Sequence, residues 1–294
     1  MTKGGESSSK HPPLTPPCTQ GGGSIRLALA AASSRLAHAS DTPRLDAELL
    51  MAHALGHSRE SMLLSGLDRE APRSFGPVLA RREAGEPVAY IIGRRAFWTI
   101  ELEVGPGVLI PRADSETLIE AALAHFGEAG PATVLDLGTG SGALLLAALD
   151  QWPAARGVGV DLSEAALAVA AANAGRLGLA DRASFRRGDW AEGLDQSFDL
   201  ILCNPPYVEA GVALPRDVAE WEPHEALFAA ADGLSAYRRL APAMPKLLAP
   251  GGLACVEIGL GQADAAAALF AAEGLQIAFR RDLAGHLRCL ALSP

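Results

Sequence analysis

Asn204-Pro205-Pro206-Tyr207 carries the most specific chemistry in the chain. Two successive prolines fix φ twice and remove two N–H donors, so the loop is stiff. It offers carbonyl oxygens and one carboxamide, which supplies both an acceptor and a pair of donors. Tyr207 adds an aromatic face. This set suits a planar group bearing an –NH₂. Its hydrogens would meet the Asn204 and Pro205 oxygens and its plane would lie along the tyrosine. A nucleobase amine and a side-chain amide both qualify. Residues 198–203 before the motif are an apolar run that reads as a buried strand. Asn204 therefore stands where a central strand ends, the edge at which open α/β sheets bind ligands.

A second run lies about two strands earlier. Residues 134–137 lead into Gly138-Thr139-Gly140-Ser141-Gly142, a strand-to-helix turn. Its glycines let the backbone turn sharply and approach a ligand, and the helix start behind them favours a carboxylate or phosphate. Through Ala143 the run also matches the dinucleotide pattern GxGxxA. Asp136, just before the glycines, favours S-adenosylmethionine over NAD. A carboxylate there can hold a methionine ammonium, directly or through water, and would repel a pyrophosphate. Asp161 ends the next strand, placed for ribose hydroxyls, a feature both ligands share. Asp189-Trp190 follows the third strand, where a carboxylate and an indole can meet an adenine's amine and face.

The elements that must position these residues emerge from periodicity. Residues 1–23 are polar with Pro and Gly clusters, and read as a disordered tail and not a signal peptide. From Ser24 to Gly93 the pattern is helical. Ser24, Thr42-Pro43, Ser58 and Ser74 open four helices, with Leu27 and Leu36 on the first and Leu45, Leu49 and Ala52 on one face of the second. Residues 96–104 alternate, with Ile100, Leu102 and Val104 inward. Gly105-Pro106-Gly107 should turn that strand into a second at 108–110, a β-hairpin linking the bundle to the C-terminal part of the chain. Residues 111–116 should cap a helix whose core face holds Ile119, Ala122, Leu123 and Phe126. Strands and helices then alternate as in a parallel, helix-covered sheet. The last two strands, around Ala284-Gly285, should form a hairpin with one strand antiparallel. Pro242 and Pro245 should break the helix before the fifth strand.

Composition narrows the class. The 294 residues suffice for two domains. No apolar run approaches the ~20 residues of a membrane span. The four cysteines, at 18, 203, 255 and 289, are scattered without a CxxC. They read as reduced thiols of a cytoplasmic protein, and no metal site is expected. His53 and His57 lack the glutamate of an HExxH motif. With 34 acidic against 25 basic residues the net charge is −9, which disfavours broad phosphate-backbone binding.

With their flanks these motifs resemble the HemK/PrmC family of release factor N5-glutamine methyltransferases. The shared flanks are residues 85–93, Phe97-Trp98, residues 109–116, Glu222-Pro223, Ala226-Leu227, Asp232-Gly233, residues 257–259, Gln262 and residues 282–285. The resemblance runs from about residue 24 to the end, with Ala113 where the family has Pro and Trp221 where Tyr is common. It implies an α/β fold of the class I methyltransferase, Rossmann-like type. The sheet would be mostly parallel and seven-stranded with an antiparallel last strand. A helical substrate-recognition domain (24–93) and a β-hairpin linker (94–110) would precede a methyltransferase domain (111–294). It implies S-adenosyl-L-methionine held by residues 138–142, Asp161, Trp190 and Asn204, and a substrate held by residues 204–207. That substrate would be the Gly-Gly-Gln glutamine of class-1 peptide chain release factors, methylated by a monomer without direct nucleic-acid contact. Asn204, Pro205 and Tyr207 would be the catalytic set. No titrating base is evident beside them.

Three rivals use parts of the same pattern. A glutamine methyltransferase of a ribosomal large-subunit protein is hard to separate by sequence. An adenine-N6 nucleic-acid methyltransferase would share the tetrapeptide but normally needs a basic surface. A non-catalytic cofactor-binding module would not need Asn204.

Overall fold

The computed structural model describes residues 23–294. The expected disordered tail, except for Gly23, and Cys18 lie outside the described residues. The chain divides into two compact units between Ala84 and Gly85.

The first unit holds α1 (Ile25–Leu36), α2 (Pro43–Leu55), α3 (Arg59–Ser65) and α4 (Phe75–Glu83). Ser24 and Ser58 cap their helices by accepting from the amides of Leu27 and Ser61. Thr42 and Ser74 do not cap. Their hydroxyls donate to Asp46 Oδ1 and to the Ala54 carbonyl instead. The buried faces also differ from the expected ones. Ile25, Leu29, Ala32 and Leu36 line the inside of α1, and Leu27 is exposed. Ala47, Leu50 and Met51 are buried on α2 together with Ala52, and Leu45 is exposed. On α2 the cause is charge on the inner face. Asp46 and Glu48 are buried, paired with Arg82 at 2.8 Å and with Arg44 and Arg59. A face defined by apolar residues alone is therefore set one step away.

The second unit opens with α5 (Val88–Ile92), ended by Gly93 in the left-handed region. Its hairpin is formed by β1 (Arg94–Phe97) and β2 (Ile100–Glu103). The hairpin turn is Trp98-Thr99, with Trp98 at φ +53°. The turn expected at 105–107 and the return strand at 108–110 are thus corrected. Residues 108–110 make no ladder. Val108 O instead accepts from the Tyr90 hydroxyl at 2.6 Å, and Ile110 N donates to Glu222 Oε2 at 3.0 Å. The inward alternation of Ile100, Leu102 and Val104 is as expected, all three being buried. A single 3₁₀ turn, Ala113–Ser115, leads into α6 (Glu116–Phe126).

Next come β3 (Thr133–Leu137), α7 (Ala143–Gln151), β4 (Arg156–Asp161), α8 (Glu164–Arg176), β5 (Ala183–Arg187) and β6 (Phe198–Cys203). The chain continues through α9 (Arg216–Trp221), α10 (Ser235–Leu240), α11 (Met244–Leu247), β7 (Leu248–Glu257), α12 (Ala263–Ala271), β8 (Gln276–Arg281) and β9 (Leu287–Ser293). The helix before β7 is broken as its prolines dictate, with a 3₁₀ turn at Ala241–Ala243 between α10 and α11. The seven strands are ordered β5-β4-β3-β6-β7-β9-β8. The first five are mutually parallel, and β9 inserts antiparallel between β7 and β8.

Strand alternation splits the core into two layers. Val134, Leu200, Leu202, Leu253 and Cys255 face α6, α7 and the hairpin. Leu135, Leu137, Ile201, Cys203, Ala254 and Val256 face α10, α11 and α12. By the same alternation Asp136 and Glu257 fall on the α6–α7 side, and both are buried. The strand order reverses between β3 and β6. That is the switch point where open α/β sheets leave a crevice at the carboxyl edge. Among the described residues, no helix is long and apolar enough to cross a membrane.

Candidate active site

A cavity of about 540 Å³ opens at that crevice. Its walls are the loops after four adjacent strands: Gly138 and Gly140 after β3, Asp161 and Leu162 after β4, Asp189 and Trp190 after β5, and Asn204 and Pro206 after β6. Gly107, Val108 and Leu109 form one outer side, and Pro223, Glu225 and Ala226 another. The volume and mixed lining suit a drug-sized ligand.

The loop after β3 presents backbone, not side chains. Gly138 and Gly140 have φ of +74° and +55°, a region that side chains with a Cβ resist. The amides of Gly138 and Thr139 donate to Val160 O, and Gly140 N donates to Asp161 Oδ2 at 2.9 Å. Asp161 Oδ1 accepts from Ser163 N, so the carboxylate joins the starts of two loops. Each of its oxygens keeps a second lone pair for a ligand. Thr139, Ser141 and Gly142 do not line the cavity. Thr139 and Ser141 are buried, and Gly142 lies against Leu146 and Ala170.

Asp136 does not reach the cavity wall either. Its Oδ2 accepts from Thr139 Oγ1 at 2.6 Å and from Leu145 N at 3.3 Å, bracing the loop against the start of α7. Its Oδ1 is buried without a protein partner. Burial pushes its pKa up to about 7, against the lowering pull of those two hydrogen bonds. Asp189 does border the cavity. Its Oδ2 is held by Arg239 at 2.5 Å, and its Oδ1 is buried and unpartnered. Trp190 has φ +53°, an uncommon conformation for a bulky residue. Its ring lies beside Gly138.

The tetrapeptide loop is held by side chains distant in sequence. Asn204 Nδ2 donates to Ser115 Oγ at 3.1 Å, and Ser115 Oγ donates to Glu257 Oε2 at 2.5 Å. The Tyr207 hydroxyl donates to Glu257 Oε1 at 3.0 Å. Gln262 Nε2 donates to Tyr207 O, and the Tyr237 hydroxyl donates to the backbone carbonyl of Glu257. Pro205 is buried, and Tyr207 is half-buried outside the cavity lining. Burial pushes the Glu257 carboxyl up to about 7, although bonds from Ser115 and Tyr207 and the charge of Arg288 oppose it. Burial beside that carboxylate also raises the Tyr207 phenol above its ordinary value.

The structure thus brings Gly138, Gly140, Asp161, Asp189, Trp190, Asn204 and Pro206 around one cavity. It sets Asp136, Thr139, Ser141, Gly142 and the side chains of Pro205 and Tyr207 behind it as supports. The sequence gives Ser115 a place only in the expected cap of α6, where its hydroxyl makes no cap bond, and Glu222 and Glu257 a place only among the flanks shared with the family. Glu222 is buried and ties the outer sides together, accepting from Ile110 N and from Arg112 at 2.6 Å, one residue before Pro223. Glu257 had a signal, as the one charge in the apolar run 253–258. A charge at such a position is paired or functional.

The family model described as the PrmC N-terminal domain matches residues 28–93, and one described as a methyltransferase domain matches residues 130–268. A protein of Rhodospirillum rubrum named release factor glutamine methyltransferase is 46% identical over 257 residues, covering 85% of this chain and 78% of its own. One of the same name from Caulobacter vibrioides is 44% identical over 266 residues, covering 88% and 92%. Among solved structures, a methyltransferase from Pyrococcus furiosus matches with a TM-score of 0.51 at 17% identity over 67% of this chain and 90% of its own. That likeness speaks to the fold alone. Identity at this level across both units is family resemblance in the strict sense, and the chain belongs to the release factor glutamine methyltransferase family.

Proposed function

We propose that this chain transfers a methyl group from S-adenosylmethionine to the side-chain amide nitrogen (N5) of a glutamine, that of the Gly-Gly-Gln motif of class-1 peptide chain release factors. The names of its relatives support the substrate. One observation carries the chemistry: Asn204 and the glycine loop border the same cavity at the switch point. A group able to accept an amide's hydrogens therefore faces the space that would hold the methyl donor.

The residues fit that donor. Gly138 and Gly140 leave the backbone bare, and Asp161 has acceptor capacity for ribose hydroxyls. Asp189 Oδ1 is a buried oxygen without a partner, suited to the adenine amine, and Trp190 lines the same cavity with its ring beside Gly138. Asp136 Oδ1, also unpartnered, suits the methionine ammonium through a bridging water. Thr139, Ser141 and Gly142 hold the shape of this loop. When bound, S-adenosylmethionine supplies an electrophilic methyl on a sulfonium.

An amide nitrogen is a poor nucleophile because its lone pair is delocalised into the carbonyl. Asn204 Oδ1 and the Pro205 carbonyl would accept its two hydrogens and aim the nitrogen. Those hydrogen bonds strengthen as the nitrogen becomes positive, so they favour the transition state over the ground state. Pro206 and the Tyr207 ring keep the loop stiff. The first unit, with the hairpin after it, would recognise the release factor outside its glutamine loop. In this reading the enzyme acts as a cytoplasmic monomer on protein and not on nucleic acid. The net charge of −9 supports the last point.

Labelled cofactor offered side by side to release factor, DNA and a ribosomal large-subunit protein tests the proposal. Label should enter the release factor at one glutamine by peptide mapping. Label in DNA or ribosomal protein alone would overturn it.

A further inference from the structure

We infer that Glu257 and Ser115 are positioning residues that decide which end of the Asn204 carboxamide faces the substrate. Neither lines the cavity. The inference deepens the reading of Asn204 given above and rests on it.

A serine hydroxyl has one hydrogen and two lone pairs. Ser115 Oγ sits between Glu257 Oε2 at 2.5 Å and Asn204 Nδ2 at 3.1 Å. An ionised carboxylate only accepts, so the single hydrogen goes to Glu257. The hydroxyl can then offer Asn204 only a lone pair, and Asn204 must present its –NH₂ there. Its Oδ1 is left for the other side, where Asn204 borders the cavity. The reverse orientation would set Oδ1 against the serine lone pair and an –NH₂ against the –NH₂ of the incoming glutamine. Both contacts repel. The second oxygen of Glu257 takes the Tyr207 hydroxyl at 3.0 Å, so one carboxylate latches both ends of the tetrapeptide. Glu257 is fully buried and Ser115 is 4% exposed, which leaves bulk water no access to substitute.

Protonation undoes this order. A protonated Glu257 has a hydrogen of its own to give Ser115, which frees the serine hydrogen to turn toward Asn204. The groups facing Glu257 are the Tyr207 phenol after β6, the Ser115 hydroxyl and Asp114 before α6, and Cys203 at the end of β6. Arg288 and Cys289 face it from β9, and the Tyr237 hydroxyl of α10 meets its carbonyl. Arg288 is itself shared with Asp114 at 3.0 Å and Asp282 at 3.3 Å, so its charge is only partly available. Turnover should therefore fall as pH drops through the titration of Glu257.

Ser115→Ala, Ser115→Thr and Glu257→Gln test this in the full-length enzyme with release factor. Ser115→Ala should lower kcat about tenfold, the worth of one oriented hydrogen bond. Substrate KM and S-adenosylhomocysteine affinity should stay within about twofold of wild type, and Ser115→Thr should restore most of the kcat. Wild-type kcat should show an acid limb, which Glu257→Gln, carrying a permanent hydrogen, should replace with a low, flat profile. A second readout does not depend on the substrate. The ¹⁵N resonances of the Asn204 side chain, identified by their loss in Asn204→Asp, should move in Ser115→Ala and titrate with pH only when Glu257 is present. Failure of wild type to methylate release factor would overturn the substrate reading, while the resonances still report on the relay. Wild-type kcat in Ser115→Ala, an acid limb unchanged in Glu257→Gln, or unmoved Asn204 resonances would each overturn the relay.

Discussion

The two loops that meet at the switch point are built in opposite ways over a common foundation. Each rests on a fully buried carboxylate on the same face of the sheet, Asp136 under the glycine loop and Glu257 under the tetrapeptide. Burial pushes both up to about 7. The glycine loop is shaped by its own backbone. Its amides bond to the neighbouring strand, and Asp136 is three residues from the Thr139 it holds. The tetrapeptide is shaped by side chains from elsewhere: Ser115 is 89 residues away from Asn204, and Glu257 is 50 from Tyr207. A loop that binds a fixed cofactor can be a local motif. A loop that must orient one amide needs directional hydrogen bonds, and these come from wherever the fold brings a donor or acceptor.

The largest effect that would break this contrast is at Asn204. Asn204→Ala should lower turnover by roughly 10²–10³, by analogy with the loss of one transition-state hydrogen bond. Calorimetry should find S-adenosylhomocysteine bound nearly as before, because the glycine loop does not depend on the tetrapeptide. A matched loss of cofactor affinity would show that the loops are one unit. The converse variant is Asp161→Ala, which removes acceptors for Gly140 N and Ser163 N as well as for the ribose. Charged hydrogen bonds are worth ~1.5–3 kcal/mol each, so cofactor affinity should fall by roughly tenfold or more. Unchanged affinity would mean that the carboxylate only braces the loop.

How far each half is legible in the sequence follows the same division. The strand, the glycines, Asp161 and the antiparallel last strand are signalled by neighbours within a few residues, and they stand where expected. The tetrapeptide is equally visible, and the flanks shared with the family include Ser115, Glu257 and Gln262, but what these residues do for the loop is not. Ser115 reads as one more polar residue before a helix, and Glu257 as a charge in an apolar strand, until the fold joins them. The hairpin is misplaced for a local reason. Gly105-Pro106-Gly107 is a strong turn signal, yet the ladder closes at Trp98-Thr99, with no glycine or proline, and Trp98 takes up the positive φ. Charge misleads the assignment of α2, whose inner face buries two carboxylates.

Tyr207→Phe sharpens the contrast with a smaller effect. The ring stays, but Glu257 loses one of its two hydroxyl donors. Without that donor the carboxyl is harder to ionise, and the latch on the loop is halved. Turnover should fall only severalfold, in line with ~1 kcal/mol for one hydrogen bond. The acid limb of kcat should shift to higher pH, since one of the bonds that lower the Glu257 pKa is gone. A loss beyond a hundredfold with the fold intact would mean that the hydroxyl does more than support Glu257.

The remaining effect is on stability and not on turnover, and it runs against the pH dependence of turnover. Asp136 and Glu257 have folded-state pKa values near 7, raised from ordinary values of 3.8 and 4.5. A carboxyl whose pKa is raised on folding favours the fold while protonated. Its contribution is complete below the unfolded value and disappears as pH rises through the folded one. Carboxyls shifted the other way, such as Asp232 (to about 2), Glu48 and Asp282, act in the acid range below their unfolded values. Between about pH 5 and pH 8 the raised pair therefore sets the trend. Each group changes the folding free energy by up to ~1.4 kcal/mol per pH unit within its window. The cofactor-free enzyme should resist denaturant better at pH 6 than at pH 8, and Glu257→Gln should remove part of that slope. An identical slope in the variant would show that Glu257 is already neutral at pH 8 or remains ionised at pH 6. The relay to Asn204 needs the charged form and the fold prefers the neutral one, so the carboxylate that orients the substrate is kept at the expense of stability.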